Sequence, residues 1–289
     1  MAEPPHAAGA QPLLEARDLV KRYGHVQALD GASFAVFPGE VVALIGDNGA
    51  GKSTLVQALS GVIRPDRGEI LVDGKPVQMS SPIEARKHGI ETVYQDLALA
   101  PDLDAAANLH LGREIYLVPA LGILNRGEMR RRAVAAFAEL GVELPDVSAP
   151  VGTLSGGQRQ SVAVARAVAY ASRVIFMDEP TAALGVVQRE RVLNNIRRVR
   201  DRGISVVLIS HNMPEVLAVA DRIEVLRMGR RVARFTASQT SVEELVGAMT
   251  GALSTEDTTT DPAGNSTAGS TGNVTGGTSA DTTDDRDGA

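Results

Sequence analysis

The stretch VVALIGDNGAGKST, Val41 to Thr54, decides the fold class. Its first five residues are an unbroken aliphatic run, the pattern of a strand buried on both faces of a parallel sheet. Gly46-Asp47-Asn48-Gly49-Ala50-Gly51-Lys52-Ser53 then fits G-x-x-x-x-G-K-[ST] at every fixed position, and STLVQALSG continues with a helical pattern. Strand, glycine loop and helix in that order form a phosphate site. The glycines let backbone N–H groups curl around an anion, and the helix start adds a positive dipole end. Lys52 is placed to reach β- and γ-phosphates, Ser53 to ligate Mg²⁺, and Thr54 to extend the helix start.

Two further aliphatic runs end in chemistry. VIFMDEPT, Val174 to Thr181, puts Asp178 and Glu179 where the apolar run stops. Strand ends of an open parallel sheet are where ligands bind. Asp178 is read as a Mg²⁺ ligand, and Glu179 as the group that orients and deprotonates an attacking water. SVVLIS, Ser205 to Ser210, is followed directly by His211, whose imidazole can hydrogen-bond a γ-phosphate from that position. Gln95, in TVYQDL, also follows a short apolar stretch, and its amide could reach a metal or a water. The chain's five histidines have no metal-site spacing, and there is no cysteine, so disulfide frameworks and Cys-based zinc sites are excluded.

Outward from these runs, the helical patterns are clear. In QRERVLNNIRRVRDRG the apolar residues Val192, Leu193, Ile196 and Val199 share a face, with Gly203 to close the end. Ser81-Pro82-Ile83-Glu84 and Ser241 with Glu244 read as capping boxes, the second opening a helix with the stripe Val242, Leu245, Val246, Met249. LLEARDLVKRYG and ALDGASFAVFPGE read as short alternating strands. From about Leu103 to Leu144 there is almost no strand pattern, and the region reads as a helical insertion.

After Gly251 the composition turns to Thr, Ser, Gly and Asp, too poor in apolar surface to offset chain entropy, and is read as a disordered tail. Its seven carboxylates and one arginine amount to −6, the whole formal net charge, which leaves a neutral body. A neutral body gives no electrostatic reason to expect nucleic acid as a partner. The start, MAEPPHAAGAQP, lacks the basic-then-apolar order of a secretion signal, and no apolar run approaches the ~20 residues of a membrane span.

One stretch is left over. TLSGGQRQ, Thr153 to Gln160, is a second glycine-rich loop before a helical run, QRQSVAVARAVAYA. Ser155, Gly156, Gly157 and Gln158 offer a hydroxyl and N–H groups at a helix start, in a chain whose phosphate loop already looks complete. LSGGQ together with the phosphate loop, DEPT and the strand-end histidine resembles the ATP-binding subunit of an ABC transporter, over about Leu13 to Gly251. YQDLALAPDLDAAANLHLGRE, EPTAALG and ISHNMPEVLAVADRIEVLRMGRR resemble the ATPases of importers of ribose, xylose and fructose type, in their single-cassette form.

The resemblance implies an α/β fold of the P-loop NTPase type, with a mostly parallel sheet core, an antiparallel β subdomain and a helical subdomain at about 100–160. It divides the chain into a disordered start (1–12), one cassette (13–251) and the acidic tail (252–289). It makes Gln95 a metal- and water-contacting glutamine, His211 a γ-phosphate sensor and Tyr23, in VKRYG, the ring that stacks on adenine. It implies ATP and Mg²⁺ as cofactors and a head-to-tail homodimer in which each LSGGQ closes over the other copy's ATP. Permease subunits and an extracytoplasmic sugar-binding protein are the further partners, with the ATPase peripheral on the cytoplasmic face of the membrane. An ATPase of an exporter, or of a non-transport system, is the alternative. One position departs from the wider family: Ala183-Leu184-Gly185 stands where A-L-D is usual, so the aspartate that links the two sites is missing.

Overall fold

The structure, a computed structural model, describes residues 11–252 except 95, 143 and 183. The expected disordered start falls almost wholly outside the described residues, and the acidic tail does so beyond residue 252.

Val41–Ile45 forms a strand with every residue buried. It is β3, preceded by a long hairpin of β1 (Leu14–Tyr23) and β2 (Val26–Val36), and followed by helix α1 (Lys52–Leu59). Strands β4 (Arg67–Val72) and β5 (Lys75–Val77), helix α2 (Pro82–Lys87) and strand β6 (Ile90–Val93) come next. The middle of the chain holds α3 (Ala105–Leu109), β7 (Tyr116–Val118), β8 (Ile123–Leu124), α4 (Arg126–Glu139) and α5 (Gly156–Tyr170). Then follow β9 (Val174–Asp178), α6 (Val186–Asp201), β10 (Ser205–Ile209), α7 (Met213–Val219), β11 (Arg222–Arg227), β12 (Arg230–Thr236) and α8 (Val242–Thr250).

Six strands form the core sheet in the order β12-β11-β3-β10-β9-β6, parallel throughout except for the β11–β12 edge pair. Strands β2-β1-β4-β5 form a separate antiparallel sheet. The aliphatic runs are unbroken because both faces of the core sheet are covered. Along β10, Val206 and Leu208 join the cluster built on α3 to α6, while Val207 and Ile209 join the one that includes α1 and the antiparallel sheet. Helix α6 buries the predicted Val192, Leu193, Ile196 and Val199, and Gly203 follows its end at φ +81°.

Three local expectations need correction. Residues 116–124 do not form an α-helix: β7 and β8 pair as a short hairpin, joined by one 3₁₀ turn at Pro119–Leu121 that ends on Gly122 at φ +65°. Two and three residues of strand are too short to leave an alternation in the sequence, and the hairpin's apolar residues, among them Leu117 and Leu121, face outward. The capping box at Ser81 is only half made. Ser81 Oγ accepts from the Glu84 N–H at 3.3 Å, while the Glu84 carboxylate accepts from Lys87 at 2.7 Å. On α8, Val246 is exposed and Ala248 is buried in its place beside Leu245, because the helix turns 100° per residue and adjacent positions cannot share a narrow face. The box at Ser241 and Glu244 is complete.

Candidate functional site at the strand ends

The parallel register gathers the chemistry. Ile209 of β10 lies opposite Leu44 of β3 and Asp178 of β9, so three strands end at one level. The loops that leave them carry Gly46 to Gly51, Glu179 and His211 into one cleft of about 800 Å³. Its walls are Gly46 through Thr54 (Asp47, Asn48, Gly49, Ala50, Gly51, Lys52 and Ser53 between them), with Asp178, Glu179, Ile209 and His211. Val26, Gln27 and Ala28 at the start of β2, and Met249 of α8, complete it. Those last four were not singled out from the sequence. Their contribution depends on how the antiparallel sheet and α8 pack beside the loop, which no local pattern records.

Two glycines of the loop are forced by geometry. At Gly46, with φ +153°, an added Cβ would lie 2.1 Å from the Leu226 carbonyl oxygen. At Gly51, with φ +101°, it would lie 2.5 Å from the Ala28 carbonyl oxygen. No side chain caps α1 at Gly51, so the first-turn N–H groups are left to a ligand. Lys52 Nζ donates to the carbonyls of Gly46 at 2.6 Å and Asp47 at 3.0 Å, folding the ammonium over the loop. Burial lowers the Lys52 pKa, against the opposing pull of Glu179, Asp178 and Asp47. Burial raises the Asp178 carboxyl, helped by neighbouring Glu179 and opposed by Lys52.

Glu179 holds a left-handed backbone conformation at φ +47°, unusual for a residue with a side chain, and its N–H donates to the Ile209 carbonyl at 2.9 Å. That bond ties the loop after β9 to the end of β10. The Glu179 carboxylate accepts from His211 Nδ1 at 2.8 Å. An ionised carboxylate only accepts, so Nδ1 carries the proton in this pair. Glu179 is thereby held at both backbone and side chain.

Not every expected residue joins the cleft. Tyr23 ends β1, is 47% exposed and pairs across the turn with Val26, which does line the cleft. The Lys21 ammonium stands 5.7 Å from the Tyr23 ring centroid. Gln95 lies outside the described residues. Ser155, Gly157 and Gln158 line a different and smaller cavity of about 200 Å³ with Gln188 and Arg191. Ser155 Oγ accepts from the Gln158 N–H and Gln158 Oε1 from the Ser155 N–H, a full capping box on α5. Gly156 begins that helix and is exposed. Of the remaining histidines, His110 is buried and structural, bonded to the Tyr170 hydroxyl at 2.7 Å and the Met129 carbonyl at 3.1 Å.

A phosphate loop, two carboxylates and a histidine at the ends of adjacent parallel strands define a nucleotide-hydrolysing P-loop protein. The chain belongs to the ABC transporter family, whose pattern it matches over residues 29–182, and it is an ABC-type ATPase. It is 56% identical over 227 residues to the fructose import ATP-binding protein FrcA of Rhizobium meliloti, covering 77% of this chain and 87% of the relative. It is 48% identical to the xylose/arabinose import ATP-binding protein XylG of Sulfolobus acidocaldarius, covering 80% of this chain and 91% of that one. The ribose import ATP-binding protein RbsA 1 of Rubrobacter xylanophilus is 46% identical over 78% of this chain, which spans only 45% of that longer relative. Among solved structures, a nucleotide-free ATP-binding cassette from an ABC transporter superposes with a TM-score of 0.70 at 27% identity, over 83% of this chain and 95% of that one. A dimeric cassette bound to ADP and Pi in a post-hydrolysis state superposes with a TM-score of 0.67 at 26% identity, over 78% and 98% of the two chains. Among the described residues no helix is long and apolar enough to cross a membrane.

Proposed function

We propose that this chain is the ATP-hydrolysing subunit of a monosaccharide importer, working as a homodimer beneath a permease pair on the cytoplasmic face of the membrane. The observation that carries the reading is identity of 56% and 48%, across nearly the whole of two single-cassette relatives, to ATP-binding proteins of sugar import.

Within the cleft, Lys52 turns from the loop carbonyls to the β- and γ-phosphates, and the N–H groups at the start of α1 hold the same oxygens. Glu179 takes the proton of the attacking water, and His211 keeps that carboxylate oriented. Tyr23 stacks on the adenine from the edge of the antiparallel sheet.

The donor set fits Mg²⁺. The candidate oxygens, from Ser53 and Asp178, are hard, and no cluster of three His, Cys, Asp or Glu able to hold a metal occurs among the described residues. Mg²⁺ in such sites takes few protein ligands and completes its shell with phosphate and water. Burial, with Glu179 beside it, raises the Asp178 carboxyl, so its ionised form is unfavourable there until a cation pairs with it. Ser53 and Asp178, with Gln95, would hold the ion. When bound, it neutralises charge building on the transferred phosphoryl oxygens.

The signature loop supports the two-copy reading. Ser155 and Gly156 are exposed at the start of a 15-residue helix, and Ser155 lines a cavity other than the nucleotide cleft. The β7–β8 hairpin, with Leu117 65% and Leu121 73% exposed, supports a permease contact on its apolar residues.

The test is uptake. Co-expressed with its permease and sugar-binding protein, the chain should drive ATP-dependent accumulation of a labelled pentose or fructose in inside-in vesicles. Transport that persists with Glu179→Gln, or that runs outward only, overturns the proposal.

A further inference from the structure

Glu215 is a buried carboxylate, 8% exposed, in the first turn of α7, and nothing in the mechanism above uses it. Burying a carboxylate is unfavourable unless its oxygens are satisfied. Here each oxygen serves a different loop. Oε2 accepts from the Thr181 hydroxyl, two residues after Glu179 on the loop leaving β9. Oε1 accepts from Asn212 Nδ2 at 2.9 Å, on the residue that follows His211. Oε1 also lies 3.7 Å from Arg189 NH1 in the first turn of α6.

Arg189 carries the connection onward. Its Nε donates to the Leu184 carbonyl at 2.8 Å, and its N–H to the Gly185 carbonyl at 3.0 Å. Gly185 has no side chain with which to bond anything itself, and Gln188 Oε1 lies 2.8 Å from where a Cβ added there would be. The loop residues Leu184 and Gly185 are therefore held from the helix behind them. The same loop is joined to the catalytic carboxylate's turn, since the Ala182 N–H donates to the Glu179 carbonyl at 3.1 Å.

We propose that Glu215 is a positioning residue for ATP hydrolysis: its two oxygens set the spacing between the loops that carry Glu179 and His211, and Arg189 couples that spacing to Leu184 and Gly185. The proposal rests on the ATPase reading of the cleft. Its chemistry is specific. A carboxylate accepts on both oxygens, so it can receive Thr181 and Asn212 together. Glutamine accepts on one oxygen only and presents N–H to the other donor. Asp is one methylene too short to keep both bonds.

The experiment is steady-state ATPase kinetics of the purified full chain, with nucleotide affinity measured in parallel on a fluorescent ATP analogue. Glu215→Gln should lower kcat about 10- to 100-fold, the scale of a small misplacement of catalytic groups. Affinity should stay within about twofold, because the loop at 46–54 is untouched. Thr181→Val should lower kcat in the same direction, and adding it to Glu215→Gln should cost little more, since both remove one bond. Arg189→Gln, at a half-exposed position, should lower kcat by about threefold with melting unchanged. A kcat within twofold of wild type in Glu215→Gln overturns the proposal. So does full kcat in both Thr181→Val and Arg189→Gln, if Glu215→Gln loses affinity and fold together. A wild-type chain that neither binds nor hydrolyses ATP sinks the underlying ATPase reading instead.

Discussion

The molecule carries two glycine-rich loops at helix starts, and they are built on opposite principles. At 46–51 the glycines are compelled: a side chain at Gly46 or Gly51 would run into backbone carbonyls, and α1 begins without a side-chain cap. At 155–158 neither glycine is pressed by backbone: a Cβ at Gly157 would meet only the Gln188 side chain, with Cγ at 2.8 Å, and Gly156 is open. An added Cβ at Gly156 would touch nothing nearer than Leu184 Cδ2 at 3.9 Å, and α5 is fully capped by Ser155 and Gln158. Around the first loop stand four titratable side chains, Lys52, Asp178, Glu179 and His211. Among the described residues, the cavity beside the second holds amides, hydroxyls and arginines but no carboxylate. One loop is shaped from within to hold a phosphate. The other is a finished helix end presented outward, with space left for something brought to it. Two copies meeting head to tail would give each what it lacks.

The sharpest break between the two would come at Glu179. Glu179→Gln removes the proton acceptor but leaves every N–H of the loop at 46–51, so turnover should fall about 10²- to 10⁴-fold while ATP stays bound and the dimer persists. Single-turnover kinetics with size-exclusion chromatography in ATP reads both. Normal turnover would remove Glu179 from its role. A mixing experiment addresses the sharing of sites directly. Lys52→Ala spoils the cleft and Ser155→Arg spoils the signature loop, and each homodimer should be inactive. In a mixed dimer one site inherits both defects and the other neither. An equal mixture should then recover about a quarter of wild-type ATPase by random pairing in a two-fold assembly. No recovery, despite demonstrated mixed dimers, would mean that each chain completes its own site.

The two glycine sets offer a comparison in stability. Gly51→Ala puts a Cβ 2.5 Å from the Ala28 carbonyl oxygen at φ +101°, and should cost about 2–4 kcal/mol in denaturant melts along with nucleotide binding. Gly156→Ala has room, and alanine is the better helix former, so folding should change by less than about 0.5 kcal/mol. Its defect would be confined to ATP turnover in the dimer. Equal folding penalties at the two positions would erase the distinction between a compelled and an open loop.

How far this difference could be read in advance depended on range along the chain. The parallel core was legible because β3, β9 and β10 are buried on both faces, which leaves unbroken aliphatic runs, and because Asp178 and His211 stop two of them. The cleft followed from those ends. What local sequence could not carry was anything set by packing from afar. Val26 and Met249 reach the cleft from a hairpin and a terminal helix, and Val246 was misassigned because four apolar residues in α8 fit more than one face. The β7–β8 hairpin was hidden by its brevity. Glu215 was quoted only inside a longer family-like stretch. Asn212, the N-cap of α7 three residues before it, is its only local partner; Thr181 and Arg189 reach it only when β9 and β10 lie side by side.

The smallest expected effect separates the loops by pH. Burial and the adjacent Glu179 raise the Asp178 carboxyl above its ordinary value of 3.8 in the folded chain. A carboxyl raised on folding ionises less readily there than in the unfolded chain, so its ionisation disfavours the fold. Below the ordinary value Asp178 is protonated in both states and this penalty is absent. It grows as pH rises through the raised folded value and is complete at neutral pH. Asp178→Asn should therefore raise the melting temperature of the nucleotide-free chain at pH 7 by about 2 °C, with the gain shrinking to nothing in acid. Ser155→Ala should move the other way, losing about 1 kcal/mol of helix cap by an amount that does not change with pH, since no titrating group takes part in that cap. Differential scanning calorimetry from pH 4 to 8 compares the two. An Asp178→Asn gain that is flat with pH would mean that the carboxylate sits easily in the cleft without a cation, and that burial there exacts no penalty on its charge.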